Sequence, residues 1–317
     1  MTDLTKNEIK LMDQINKVDG LSFVIPVFNE EGAVVSTLER VKLVLSTIDV
    51  DTEIIVVDDG STDNSAQRAL SVKGVNVISQ PKNAGYGRAL KTGIAAARHH
   101  WIAIVDADGT YPIEQLKDLV DQANKGFDMV VGLRENTIEL DKPIKRFFRG
   151  FFVKGLQYLL NKPTIDPNSG FRIFRRDMAV DFIPFLCNTF SFTTSITVFA
   201  IGGGYFVDFV PIQYAKRTGK TKVRHFRDSL RAMQVVFQGV SYFNPVKFFL
   251  VSTTLFVIFF VLPALIFLIF GYSNWAISIL IVGAVLTLMS GIAMNCDILR
   301  IASTHNPKER IDEELGK

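Results

Sequence analysis

The chain has 317 residues, with 35 Lys and Arg against 32 Asp and Glu and a formal charge of +3. That near balance excludes a whole-molecule nucleic-acid binder, and the length fits one domain of about 200 residues plus an appendage. Only Cys187 and Cys296 occur, far apart, which excludes a disulfide framework or zinc site and fits a reducing compartment. A mean hydropathy of +0.24 and 26 Phe point to a membrane component.

Residues 1–19 are polar and lack the apolar core of a signal peptide. Leu4, Leu11 and Ile15 fall at helical spacing, with Glu8 interrupting the stripe. The expectation is a short amphipathic helix and a candidate homo-oligomer contact.

Residues 20–225 read as a domain in which strands and helices alternate. Strands are predicted from Leu21 to Phe28, Glu53 to Asp58, Val75 to Ser79, Trp101 to Asp106 and Phe127 to Gly132. Helices are predicted from about Glu31 to Thr47, Thr62 to Leu70, Ala84 to Arg98 and Ile113 to Asn124. Such alternation with short connections implies an α/β fold with a parallel sheet covered on both faces. His99-His100 reads as a helix C-terminus rather than a metal pair, since adjacent residues share no helix face.

The polar residues cluster after the strands, where the loops of an open sheet converge on one crevice. These loops hold Asn29-Glu30-Glu31, Asp58-Asp59-Gly60-Ser61, Asn83-Ala84-Gly85-Tyr86-Gly87-Arg88 and Asp106-Ala107-Asp108-Gly109. Acidic side chains there can accept hydrogen bonds from a base and ribose. Gly85 and Gly87 permit a close phosphate, and Arg88 supplies charge. In a strand Asp106 and Asp108 would share a face, and two hard oxygen ligands suit Mg2+ or Mn2+ on a diphosphate. The dinucleotide fingerprint fails because Leu90 occupies its third glycine position, and Gly219-Lys220-Thr221 lacks the upstream glycine of a phosphate loop.

Two basic, aromatic-rich stretches, about 144–160 and 226–246, read as interfacial helices. Residues 247–297 contain two charge-free runs, 248–270 and 275–294, each long enough to cross a hydrocarbon core of about 30 Å. Gly271-Tyr272-Ser273-Asn274 makes a hairpin of them. Lys and Arg flank the hairpin but not its loop, which places the large domain and the tail, 298–317, on the cytoplasmic side of the inner or plasma membrane.

The chain resembles the family-two glycosyltransferases of GT-A fold through several ordered motifs. These are Val24-Ile25-Pro26-Val27-Phe28-Asn29-Glu30-Glu31, Val57-Asp58-Asp59-Gly60-Ser61-Thr62-Asp63, Asn83-Ala84-Gly85 and Asp106-Ala107-Asp108-Gly109. Asp166-Pro167-Asn168-Ser169-Gly170-Phe171-Arg172, Pro211-Ile212-Gln213-Tyr214 and Arg217-Thr218-Gly219-Lys220-Thr221-Lys222 continue the match. The later motifs and the hairpin are similar to polyprenyl-phosphate glycosyltransferases, relatives of dolichol-phosphate mannose synthase.

The resemblance implies a mostly parallel GT-A sheet, a nucleotide-sugar donor, a divalent metal and a lipid-phosphate acceptor at a bilayer. Asp106 and Asp108 would hold the metal. Pro26, Asn29, Glu31, Asp58, Asp59, Asn83, Gly85, Arg88 and Ala107 would line the donor site, with Asp59 nearer the base than Asp58. Lys91 would approach it, and Arg217 and Lys220 would close over the diphosphate. Arg134, Arg146, Arg149 and Ser169 would meet the acceptor phosphate, with Arg172 beside them as a catalytic candidate. For Arg146 and Arg149, attraction to lipid headgroups is an equal reading. Asp166 would orient an Arg or act as base.

Two departures from relatives matter. Thr110 stands where mannose synthases often carry Gln, which favours UDP-glucose as donor and leaves UDP-N-acetylglucosamine, other UDP-sugars and GDP-mannose as alternatives; Ala215 replaces an aromatic or His, which implies an altered pocket. A processive polysaccharide synthase and a non-catalytic lipid-binding partner are the competing readings. The first lacks its Gln-x-x-Arg-Trp motif here.

Overall fold

The computed structural model describes residues 17–135, 143–163, 165–215 and 225–303. The chain divides into two compact units, 1–235 and 236–317.

The first unit is built on a seven-stranded sheet in the order β3-β2-β1-β4-β6-β5-β7. The strands are β1 (Gly20–Val27), β2 (Asp51–Asp58), β3 (Val75–Ser79), β4 (Trp101–Ile104), β5 (Met129–Arg134), β6 (Arg172–Arg175) and β7 (Val207–Ile212). β1 is buried along its whole length, as expected of a central strand with both faces covered. Its alternating side chains feed two cores. Leu21, Phe23, Ile25 and Val27 pack with Val34, Leu38 and Val41 of α1 (Val34–Leu45). On the opposite face Val24 packs with Ala89, Leu90 and Ile94 of α3 (Tyr86–Ala96). The remaining helices are α2 (Ser65–Leu70), α4 (Leu116–Ala123), α5 (Pro143–Leu160), α6 (Arg176–Phe182), α7 (Phe192–Gly202) and α8 (His225–Phe243). The boundary between the units falls within α8.

The sheet is mostly parallel, with one exception absent from the sequence reading. β6 runs antiparallel to both β4 and β5, pairing Ile104 with Arg172 and Val131 with Arg172. Arg172 therefore enters the sheet at the edge where β4 and β5 end. β5 lies two residues later than expected, so that Arg134 is its last residue. β4 ends at Ile104, so Asp106 and Asp108 lie in the following turn, and strand alternation does not orient them. His99 and His100 lie beyond α3, in the connection to β4, where the His99 N–H donates to Ser22 Oγ.

In the second unit α9 (Pro245–Phe256), a π-helical turn (Val257–Val261) and α10 (Leu262–Ile269) form one apolar helix, followed by α11 (Ser273–Ser303). Two segments, Pro245–Ile269 and Ser273–Cys296, are long and apolar enough to cross a membrane. Asn244 caps the first by accepting the Lys247 N–H, with Pro245 pre-set at the first helical position. The wide turn immediately precedes Pro263, whose missing N–H breaks the regular ladder. Gly283 leaves room for the Phe260 ring, the close packing that small residues permit between apolar helices.

Candidate active site

The loops after β1 and β2 brace each other. Asn29 has left-handed backbone, φ 51°, and its Oδ1 accepts the Thr62 N–H at 2.8 Å. Glu31 Oε2 accepts the Asn64 N–H, and Asp58 Oδ1 accepts the Ser61 N–H. Asp59 spans to the third loop, where its two oxygens accept the N–H groups of Ala84 and Gly85 at 2.8 and 2.9 Å. Burial raises the Asp59 carboxyl, and these backbone donors only partly offset that rise. Pro26 is buried inside β1, and Asn83 is exposed beside this brace.

Gly85 and Gly87, expected to permit a close phosphate, stand against backbone of the segment at 187–188. The carbonyls of Asn188 and Cys187 fill the spaces that β-carbons on Gly85 and Gly87 would need, and the Arg88 N–H donates to Asn188 O at 3.1 Å. The first turn of α3 is thus packed by the protein's own backbone. Gly85, with φ 105°, also occupies a conformation that only glycine adopts readily. Lys91 joins the same seam by donating to Leu186 O at 2.6 Å, and burial pushes its ammonium down to about 8. The Tyr86 ring stacks on Phe190, while its buried hydroxyl lies near Asp106.

Asp106 and Asp108 sit in a turn closed by Gly109, φ 72°. Ala107 is buried, and its carbonyl accepts the Thr37 hydroxyl, which ties the turn to α1. The Thr110 hydroxyl donates to Asp108 Oδ1 at 2.6 Å and its N–H donates at 3.1 Å. Thr110 therefore orients Asp108. Gly170 faces the Asp106 carboxylate so closely that a β-carbon would stand 2.8 Å from Oδ1. Among the described residues no cluster of three or more His, Cys, Asp or Glu could hold a metal. Two hard carboxylates beside the space left by Gly170 fit a cation that takes one or two protein oxygens and fills its shell with phosphate and water.

Arg134 and Asp166 form a fork, Nε to Oδ2 at 2.7 Å and Nη2 to Oδ1 at 2.8 Å, both side chains nearly buried. Burial would raise the Asp166 carboxyl, but the Arg134 charge and hydrogen bonds outweigh it and hold it below the ordinary carboxylate range. The same guanidinium lies 5.3 Å from the centroid of the Tyr214 ring. Arg172 is fully buried and donates to the carbonyls of Ser169, Pro167 and Thr193 and to Thr197 Oγ1. Burial pushes its guanidinium down to about 10. Ser169 is fully buried beside it, and its Oγ has no hydrogen-bond partner among the described residues.

Arg146 is exposed on α5. The Arg149 side chain, Arg217 and Lys220 lie outside the described residues. Ala215 is exposed, and its N–H donates to Thr110 O. Sequence reasoning missed the clamps: Thr110 on Asp108, Tyr111 on Gly170 at 2.7 Å, and Tyr214 under Arg134. Aromatic residues bordering the acidic turn and the Pro-Ile-Gln motif were the available signal.

Comparison with known proteins gives three findings. Residues 22–182 match the Glycosyl transferase family 2 profile. The chain is 31% identical over 209 residues to a dolichyl-phosphate hexose transferase of Haloferax volcanii, covering 66% of this chain and 88% of that one. It is 34% identical over 194 residues to an undecaprenyl-phosphate 4-deoxy-4-formamido-L-arabinose transferase of Pseudomonas fluorescens, of which it spans 56%. The fold also matches glucosyl-3-phosphoglycerate synthase from Mycobacterium tuberculosis, solved with Mn2+, UDP-glucose and phosphoglyceric acid. That match has a TM-score of 0.56 at 19% identity and covers 76% of this chain and 85% of the other. With its GT-A-like sheet and its acidic turn at the sheet's carboxyl edge, this chain belongs to glycosyl transferase family 2 and is a glycosyltransferase.

Proposed function

We propose that this enzyme moves a hexose, glucose from UDP-glucose as the favoured case, onto a polyprenyl phosphate at the cytoplasmic face of a membrane, with inversion. One observation carries the reading: a buried Arg134–Asp166 pair stands at the end of β5, joined through Tyr214 and Thr110 to the Asp106–Asp108 turn. A cation for an anionic acceptor and a carboxylate pair for a donor diphosphate thus belong to one connected site. The names of the Haloferax and Pseudomonas relatives support the acceptor class.

In this reading Asp106 and Asp108 would hold Mg2+ or Mn2+, which when bound would supply positive charge against the departing nucleoside diphosphate. Asn29, Glu31 and Asp59 shape the base and ribose end. Arg134, with Arg146 and Arg149, draws the acceptor phosphate in. A phosphate oxygen forms the new bond to the anomeric carbon. The bond from that carbon to the diphosphate breaks, and its electron pair leaves with the nucleotide. The acceptor needs no general base, because a monophosphate is mostly dianionic near neutral pH. Asp166, bound to Arg134 and held acidic, acts as its orienting partner. Arg172, engaged by carbonyls, positions the Ser169–Gly170 segment without touching substrate. Residues 20–225 form the catalytic domain. Residues 226–246 lie along the bilayer surface, and 247–297 anchor the enzyme.

The test is full-length protein in nanodiscs with Mg2+, undecaprenyl phosphate and a panel of labelled sugar donors including UDP-glucose and GDP-mannose. Label extracted with the lipid supports the reading, and the best donor names the sugar. Water-soluble polymer, or no transfer from any donor, overturns it.

A further inference from the structure

We infer that Tyr214 is a positioning residue that couples the metal end of the site to its acceptor end. The inference rests on the reading in which Asp106 and Asp108 hold the divalent cation and Arg134 meets the acceptor phosphate.

Tyr214 follows β7, which pairs in parallel with β5 so that Ile212 lies opposite Arg134. The chain therefore emerges next to Arg134, and the ring lies under its guanidinium with 5.3 Å from Cζ to the ring centroid. At its other end Tyr214 is hydrogen-bonded through its side chain to Thr110, and the neighbouring Ala215 N–H donates to Thr110 O at 2.9 Å. Proton count fixes the direction of the side-chain bond. The Thr110 hydroxyl has one hydrogen, and it goes to Asp108 Oδ1. The Tyr214 hydroxyl must then donate to Thr110 Oγ1. The relay runs from Tyr214 O–H to Thr110 O–H to the Asp108 carboxylate, each bond polarising the next.

A second arm reaches the other carboxylate. Tyr111 meets Tyr214 edge-on, with ring centroids 4.9 Å apart and planes at 65°. The Tyr111 oxygen accepts the Gly170 N–H at 2.7 Å, and Gly170 is the residue whose bare Cα faces Asp106. Tyr111 is buried, so this edge contact limits how the Tyr214 ring can turn. One half-buried tyrosine thus bears on both carboxylates and on the acceptor cation. An acceptor phosphate that draws Arg134 changes the load on the ring, and the ring passes it to Asp108.

The test measures Mn2+ binding by electron paramagnetic resonance on the full chain in nanodiscs, with and without undecaprenyl phosphate, alongside steady-state kinetics. Wild type is expected to bind Mn2+ about fivefold more tightly with the lipid phosphate, at the low end of usual coupling between sites. Tyr214→Phe keeps the ring under Arg134 and loses the relay. It should abolish that lipid-dependent gain and weaken Mn2+ while leaving the acceptor KM within about twofold. Tyr214→Leu should raise the acceptor KM as well. Thr110→Val should match Tyr214→Phe, the double variant should be no worse than either, and Thr110→Ser should retain wild-type behaviour. Retention of the gain in Tyr214→Phe, or independent effects that multiply in the double variant, overturns the coupling while leaving the metal site standing. If wild type binds no Mn2+ at all, the metal reading falls and the inference falls with it.

Discussion

Arg134 grips Asp166 through both arms of its guanidinium, at 2.7 and 2.8 Å, in a nearly buried setting. A lysine cannot reproduce that planar fork. Arg134→Lys is expected to raise the acceptor KM by about tenfold or more while leaving the donor KM nearly unchanged, the mark of a lost bidentate contact. Initial-rate kinetics with each substrate varied in turn check it.

Asp166 is held below the usual carboxylate range, so it stays ionised through neutral pH. Its stabilising effect is present above the unfolded value of 3.8 and is lost only as the pH falls through the lower folded value. The acid limb of the rate profile should then lie near pH 6, where the acceptor phosphate takes up its proton. Asp166→Asn should lower the rate and leave that limb in place. A limb that disappears in this variant would restore Asp166 as a general base.

Asp108→Asn is expected to cut turnover by about a hundredfold or more, since an anionic ligand to the cation that offsets charge on the leaving diphosphate is lost. The melting temperature should hold, because Thr110 can still bond the amide oxygen. Added Mn2+ should no longer raise the melting temperature, as it should for wild type.

Gly87→Ala would set a methyl group against the Cys187 carbonyl, where backbone and not a flexible side chain must yield. A loss of roughly 1–3 kcal/mol is expected in chemical denaturation, the usual cost of overpacking. Nucleotide affinity should fall less than stability, because the crowding lies between protein segments.

Arg172→Met should destabilise by about 3 kcal/mol, since several buried carbonyls lose their donor at once. Thermal unfolding with and without donor measures it. An unchanged melting temperature with lost activity would return Arg172 to direct catalysis.

Lys91 provides a pH signature in stability. Its ammonium is displaced from the usual 10.5 to about 8, so between those values the unfolded chain binds more protons than the folded one. Stability should therefore rise with pH across that window. Lys91→Met should flatten the rise in melting temperature between pH 8 and 10.

Much of this architecture was legible because hydrophobic runs end abruptly in polar residues. Val24 to Asn29 and Ile54 to Asp59 announce both a strand and the loop that follows it. The acidic turn was legible for the same reason, although the strand stops short of it. β6 was not legible: Arg172-Ile173-Phe174-Arg175 is too short for a period, and its first arginine is buried against the nearby carbonyls of Pro167 and Ser169 and against Thr193 O and Thr197 Oγ1 of α7. Gly85 and Gly87 were ambiguous, since glycine marks any close approach, and the approaching atoms come from residues 187 and 188. Of the clamps, Thr110 bonds Asp108 only two residues away, Tyr111 meets Gly170 from 59 residues away, and Tyr214 depends on a pairing of β7 with β5 that no local pattern reveals.

The reversal of β6 has an evolutionary corollary. The chain departs from the sheet after Arg134 and rejoins it at Arg172, and both points lie on one rim of the same scaffold. An excursion with its two roots side by side can grow, shrink or be swapped while the nucleotide half of the enzyme stays as it is. Chimeras spliced at those two arginines would show whether the stretch between them carries acceptor preference as a single cassette.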